Sequence, residues 1–279
     1  MAAASTGEGE LLDVRLAGVA PWRRWYAQHE RLTLGVLGFV SVLAFWELTV
    51  QVGWMKRVFL SSPTAIYTAF LNEARAGTLW TNISVSLLEF LLGFFIAAVV
   101  GVTIGLIGGW FRRANYILDP WLSALYATPD IALVPLIILV LGIDLQAKVF
   151  VVFLTSLFSV AVNTLIGVQS IDIRMLEVAR SFGASHLRVF RTVILPGTVP
   201  FMLSGLRLAS GRALVGVVLA ELLAANAGLG FMINLAGSTL NTARMMVGVL
   251  LLGFFGVLLG EGLRRVEQHF EVWRPKRQD

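Results

Sequence analysis

The chain has 279 residues, 57% of them apolar and 14% charged, with a formal charge of +5 and no cysteine. A soluble domain carries about 25% charged residues, so the composition excludes a cytosolic enzyme and a secreted scaffold. The lack of cysteine removes thiol catalysis, disulfides and Cys-ligated metal sites. The basic excess reads as a topology signal and not as a nucleic-acid surface.

A helix needs about 20 mostly apolar residues to cross the hydrocarbon core. Uncharged stretches predict six spans, at 33–52, 84–109, 117–141, 148–169, 199–223 and 243–263, which makes this an all-α integral membrane protein. Residues 1–32 form an N-terminal arm, 33–263 the membrane domain and 264–279 a basic tail. Glu8, Glu10, Asp13 and Arg15 interrupt any leader-like apolar run, so the arm is expected to stay on the mature protein. Trp22, Trp25 and Tyr26 among Arg23, Arg24 and Arg31 suit a helix at headgroup depth or a simple anchor of the first span. Of the Lys and Arg residues, 15 fall in the arm, the Arg112–Arg113 turn, the 170–198 loop and the tail, against 5 (Lys56, Arg57, Arg75, Lys148, Arg244) on the other side. The positive-inside rule then puts both termini in the cytoplasm.

The second span carries Gly93, Ala97, Gly101, Gly105 and Gly109 at strict four-residue spacing, a face stripped for close packing. The seam joins two spans of one chain or two copies; packing within the chain is the default. Asp119–Pro120, Thr128–Pro129–Asp130 and Pro135 are each expected to bend the third span, so Pro129 and Pro135 are candidates for lining a pathway or for plain packing.

Between spans four and five runs SIDIRMLEVARSFGASHLRVFRTVILPGTVP, Ser170 to Pro200. Connections in helical bundles usually run about 2 to 8 residues, so this loop has a task of its own. Asp172 is placed to cap a short helix with Met175, Leu176, Ala179 and Phe182 on one face. Gly183 permits a sharp turn, and a second short helix spans Ala184 to Val193 until Pro196 stops it. The result is a compact knob exposing Arg174, Glu177, Arg180 and Arg188.

These residues resemble a family signature. Glu177-Val178-Ala179, Gly183 and Leu195-Pro196 are similar to the E-A-A, three residues, G, nine residues, I, one residue, L-P loop of permease subunits of bacterial ABC importers. Val178 replaces the usual alanine and Val193 the usual isoleucine. The likeness covers roughly residues 60 to 265. It includes Leu60-Ser61-Ser62-Pro63, Val134-Pro135-Leu136, Ser204-Gly205-Leu206-Arg207 and Glu221-Leu222 followed by Gly228-Leu229-Gly230, which look like the nitrate, sulfonate and taurine branch.

The resemblance implies the type I importer fold, two permease copies, two ATPase subunits and an extracytoplasmic solute-binding protein. It implies that the loop is a coupling helix docking on the ATPase through Glu177, Ala179, Arg180, Gly183, Ala184, Leu195 and Pro196. It also implies a small anionic cargo such as a sulfonate, taurine, nitrate or bicarbonate. No G-x-x-x-x-G-K-[ST] occurs, so ATP and Mg belong to the partner and no cofactor is expected on this chain.

Glu47, Glu89, Arg207, Arg212 and Glu221 lie in spans, where charge is costly unless paired or wetted. Arg207 and Arg212 are expected to snorkel, to line a water-filled cavity that attracts anions, or to pair with a carboxylate such as Glu89. Glu221 is a candidate for a gate or a binding-protein contact, or is solvated at the interface. Asp144 and Lys148 are expected to be solvated in a turn. His29, His186 and His269 are too dispersed for a metal site. No reactive constellation supports an intramembrane enzyme. The alternative to an ATP-driven importer is an ion-gradient-driven secondary transporter, which leaves the knob without a purpose.

Overall fold

The protein, seen in a computed structural model, is described over residues 21–56 and 58–270. The arm before Pro21, the side chains of Trp22, Arg23, Arg24, Trp25, Tyr26 and Arg31 with their expected interfacial role, Arg57, and the tail beyond Phe270 lie outside the described residues. The chain divides into two units, Met1–Thr64 and Ala65–Asp279.

The first unit is built on α1 (Pro21–Gln51), which leaves helical geometry at His29. Glu47 on α1 accepts the backbone N–H of Thr64 at 3.1 Å and its hydroxyl at 2.8 Å. A span carboxylate therefore caps the start of α2 (Pro63–Arg75), whose first residue, a proline, needs no donor.

The second unit continues with α3 (Thr78–Trp110), α4 (Arg112–Ala127), α5 (Asp130–Leu141), α6 (Leu145–Gln169), α7 (Ile173–Ser181), α8 (His186–Val189), a π-helical turn (Phe190–Ile194), α9 (Leu195–Ala224), α10 (Leu229–Ser238) and α11 (Thr242–Phe270). Leu32–Gln51, α3, α6 and α11 are each long and apolar enough to cross a membrane. Two bent pairs, α4 with α5 and the helix from His186 with α10, pass the same test jointly, so that the four become the six expected if each pair is one span.

The centre of this unit is α6, flanked by α3 and α9. A Cβ added at Gly93 meets Val152, at Gly101 Val160, at Gly105 Thr164 and at Gly109 Val168. Residue numbers on both helices rise together at a constant offset, so α3 and α6 run parallel with one backbone laid against the other's β-branched ridge. The glycine seam, with fully buried Ala97, thus packs within the chain. On the other side Gly167 meets Phe201, Gly205 meets Asn163 and Gly216 meets Thr155. Here one number falls as the other rises, so α9 is antiparallel to α6. Because α3 and α6 are parallel, α4 and α5 together must return the chain to the starting end of the bundle, and that broken pair makes one crossing.

The break itself corrects an expectation. Pro120 and Pro135 sit inside α4 and α5, and the bend, 99°, is concentrated at Thr128–Pro129. Thr128 and Pro129 are both extended there, since a residue ahead of proline is pushed out of the helical region and Asp130 opens a new helix.

Candidate functional site

The knob forms from local chemistry. The Asp172 carboxylate accepts the Arg174 N–H at 2.9 Å and caps α7, and this backbone bond holds its carboxyl below the usual carboxylate range. Gly183 takes φ +70°, open to glycine at no steric cost, and Ser185 caps α8 through the Arg188 N–H. Arg174, Glu177, Arg180 and Arg188 are exposed as expected.

Two details differ from the sequence reading. Met175 and Phe182 do not join the inward face; Phe182 is 86% exposed, while Leu176, Ala179 and Ala184 are half-buried and Val189 is buried. The second helix does not stop at Pro196 either. The Leu195 N–H reaches back to the Phe190 carbonyl, a π-helical step. That wider turn sets Pro196 in the first turn of α9, where a missing donor costs nothing. Helical backbone consequently runs from His186 to Ala224, and the knob is one end of the fifth span. Trp110, at the end of α3, stacks edge-on against Phe190 at 5.7 Å and braces the knob from the side. A groove of about 310 Å³ between Trp110, Arg180, Ala184 and His186 lies under that brace.

At the end of α9 away from the knob, Glu221 is 1% exposed, which corrects its expected interfacial solvation. Its carboxylate accepts the Ser86 hydroxyl at 2.6 Å and the Gly230 N–H at 2.6 Å. Asn82 accepts the Gly228 N–H and Ser86 the Leu229 N–H, at 2.9 and 2.8 Å. Three of the free amides that open α10 are thus satisfied by side chains of α3 and α9. Gly228, at φ +125°, lies so close that a Cβ there collides with the Glu221 carboxylate.

Lys148 is not solvated. It is buried, with its ammonium 2.6 Å from Glu89, and this corrects both the expected turn position and the pairing of Glu89 with an arginine. Hydropathy alone misses the pair, yet Glu89 stands four residues before Gly93 and so extends the stripe that faces α6. Arg207 pairs instead with Glu267 of α11 at 3.1 Å, and Ser204 donates to the same carboxylate. Arg212 faces Asp130 at 3.8 Å and lies over the Tyr126 ring at 4.7 Å. Pro129 and Pro135 are exposed, Pro129 at the elbow beside Asp130 and Pro135 on α5. Among the described residues no three His, Asp or Glu side chains converge to hold a metal.

Known proteins are similar to this chain in sequence and in fold. The family described as binding-protein-dependent transport system inner membrane component matches residues 101–271. The aliphatic sulfonates transport permease protein SsuC of Escherichia coli K12 is 36% identical over 236 residues, 85% of this chain and 90% of that protein. The taurine transport system permease protein TauC of the same strain is 31% identical across 90% of this chain and 93% of its own length. The nitrate import permease protein NrtB of Leptolyngbya laminosa is 32% identical across 66% of this chain and 65% of its own length. Among solved structures, an inward-facing MetNI methionine ABC transporter chain superposes with a TM-score of 0.63 at 18% identity, covering 71% of this chain and 98% of the other. An amino acid ABC transporter chain gives 0.57 at 19% identity, covering 72% and 97%.

Proposed function

The chain belongs to the binding-protein-dependent transport system inner-membrane component family, a permease subunit of an ABC importer and not an enzyme, and on that premise we propose that it conducts a small anionic solute into the cytoplasm. The cargo class is a sulfonate, taurine, nitrate or a related small anion such as bicarbonate; relatives named for the first three align along most of the chain. An extracytoplasmic binding protein delivers it. Two copies of the chain pair with two ATPase subunits that hold ATP and Mg, and both termini face the cytoplasm together with the knob.

The observation that carries the reading is the exposed knob, continuous with α9 through the π-helical turn and braced on α3 by Trp110 and Phe190. A knob gripped by a closing ATPase pair passes its displacement to two spans as a rigid-body tilt. Glu177, Ala179, Arg180, Gly183 and Ala184 shape or face that contact, and Leu195 and Pro196 join it to the span. Purifying the tagged chain in mild detergent from its host and identifying what co-elutes tests this. An ATPase in near-equal amount supports the reading, and a co-eluting binding protein names the cargo through its ligands. A chain that elutes alone and drives uptake from an ion gradient overturns it. In the same assay Glu177→Ala is expected to lose the ATPase while inserting normally.

A further inference from the structure

Among the described residues, three ion pairs join one span to another, and they differ in tightness and openness. Glu89 and Lys148 are closed off at 2.6 Å, with side chains 0% and 11% exposed. Arg207 and Glu267 meet at 3.1 Å, and Ser204 donates to the same carboxylate. Arg212 and Asp130 stand 3.8 Å apart with side chains 37% and 24% exposed. That separation is longer than a hydrogen bond, so the rigid fork of guanidinium donors is not used up by its partner. An open charged pair inside otherwise apolar helices needs water or a polar solute beside it.

The place of the pair is as informative as its geometry. Asp130 is the first residue of α5, directly after the 99° elbow, and Tyr126 is the last but one of α4, just before it. Arg212 sits on α9, in helical continuity with the knob. The contact therefore bridges the elbow and the helix that carries the knob. The Tyr126 ring under the guanidinium orients its plane.

The geometry points to Arg212 as the residue that reads the charge of the transported oxyanion, with Asp130 as the carboxylate that takes that anion's place when the pathway is empty. This rests on the importer reading above. Carboxylate, sulfonate and nitrate all present oxygens to a guanidinium at similar spacing. When α9 shifts from the elbow the fork is freed for the cargo, and when it returns Asp130 competes the cargo off. An unopposed arginine in a low-dielectric path would hold an anion too tightly to release it.

The chain has no cysteine, so single-cysteine labelling needs no background substitutions. Val215 is exposed on α9 one turn from Arg212. In a Val215→Cys full chain in nanodiscs, the rates of modification by 2-sulfonatoethyl and by 2-trimethylammonioethyl methanethiosulfonate are read by the mass shift of this chain. The anion-to-cation rate ratio is expected to fall about tenfold with Arg212→Gln and to rise about tenfold with Asp130→Asn. Arg212→Lys keeps the ratio, and ethanesulfonate slows labelling with Asp130→Asn but not with Arg212→Gln. Where Arg212→Gln does not fold, Asp130→Asn and Arg212→Lys carry the test. A ratio indifferent to these substitutions, or an introduced thiol that neither reagent reaches, overturns the proposal. The assay uses neither ATPase nor transport. Shifted ratios in a chain that purifies without an ATPase would overturn the importer reading alone, and the converse result this one alone.

Discussion

The Lys148 ammonium lies 2.6 Å from the Glu89 carboxylate, and their offset of 59 in the chain is the one that separates Gly93 from Val152 and Gly109 from Val168. The ion pair is thus one rung of the ladder that lays α3 against α6, at the end where α6 begins. Its chemistry differs from the other rungs, since two charged side chains are buried there and the Glu221 carboxylate lies near enough to act on both.

Removing Lys148 therefore leaves buried carboxylates without their cation, at a cost of roughly 3–5 kcal/mol, and removing Glu89 leaves the ammonium with the Glu221 carboxylate alone. Lys148→Met and Glu89→Leu are each expected to broaden the gel-filtration peak in detergent and lower the thermal midpoint. The double variant is expected to recover most of the loss. Single variants as stable as the parent would mean that water reaches the pair.

The glycine rungs make an independent prediction. A Cβ at Gly105 would stand 2.5 Å from the Thr164 Cβ and 2.6 Å from the Ala161 carbonyl, whereas Gly211 on α9 has nothing within 4 Å. Gly105→Val is expected to cost about 1–3 kcal/mol by forcing the helices apart. Gly211→Ala is expected to leave the thermal midpoint in place. Equal effects of the two would show that seam packing does not limit stability.

Much of this is legible in one dimension and little of it in three. The spans, the four-residue stripe and the knob follow from local spacing, because periodicity, caps and turn glycines act within a few residues. The partner of the stripe does not, since which helix meets Gly93 depends on the chain returning through a broken pair. Lys148 reads as a turn residue for the same reason: the uncharged run starts after it, but α6 begins three residues before it. Asp130 reads only as part of a proline break, and its meeting with Arg212 depends on an elbow angle that no spacing encodes.

The cap on α10 yields a local test. Glu221→Ala leaves the Gly230 N–H and the Ser86 hydroxyl without their buried acceptor, a loss of about 1–3 kcal/mol for each unsatisfied group. Amide exchange is expected to quicken first at Gly228 to Met232 and to leave the α3–α6 seam protected. Gly228→Ala should produce the same pattern, because a side chain at φ +125° is both strained and driven into the carboxylate. Uniform loss of protection would instead make Glu221 part of the global core.

Phe182 separates folding from partner contact. It is 86% exposed at the tip of the knob and outside the half-buried face of Leu176 and Ala179, so the isolated chain gains little from it. Exposed aromatic anchors beside charged residues are the usual hot spots of protein contacts, each worth about 2 kcal/mol or more. Phe182→Ala is expected to leave the thermal midpoint of the purified chain unchanged while cutting recovery of the ATPase at least tenfold. Gly183→Pro is expected to cut recovery too, but by a different route: proline cannot take the φ of +70° that shapes the turn, so α7 and α8 change their angle. Full recovery with Phe182→Ala would move the contact to the charged face of Glu177, Arg180 and Arg188, where paired charge reversals across the interface would then locate it.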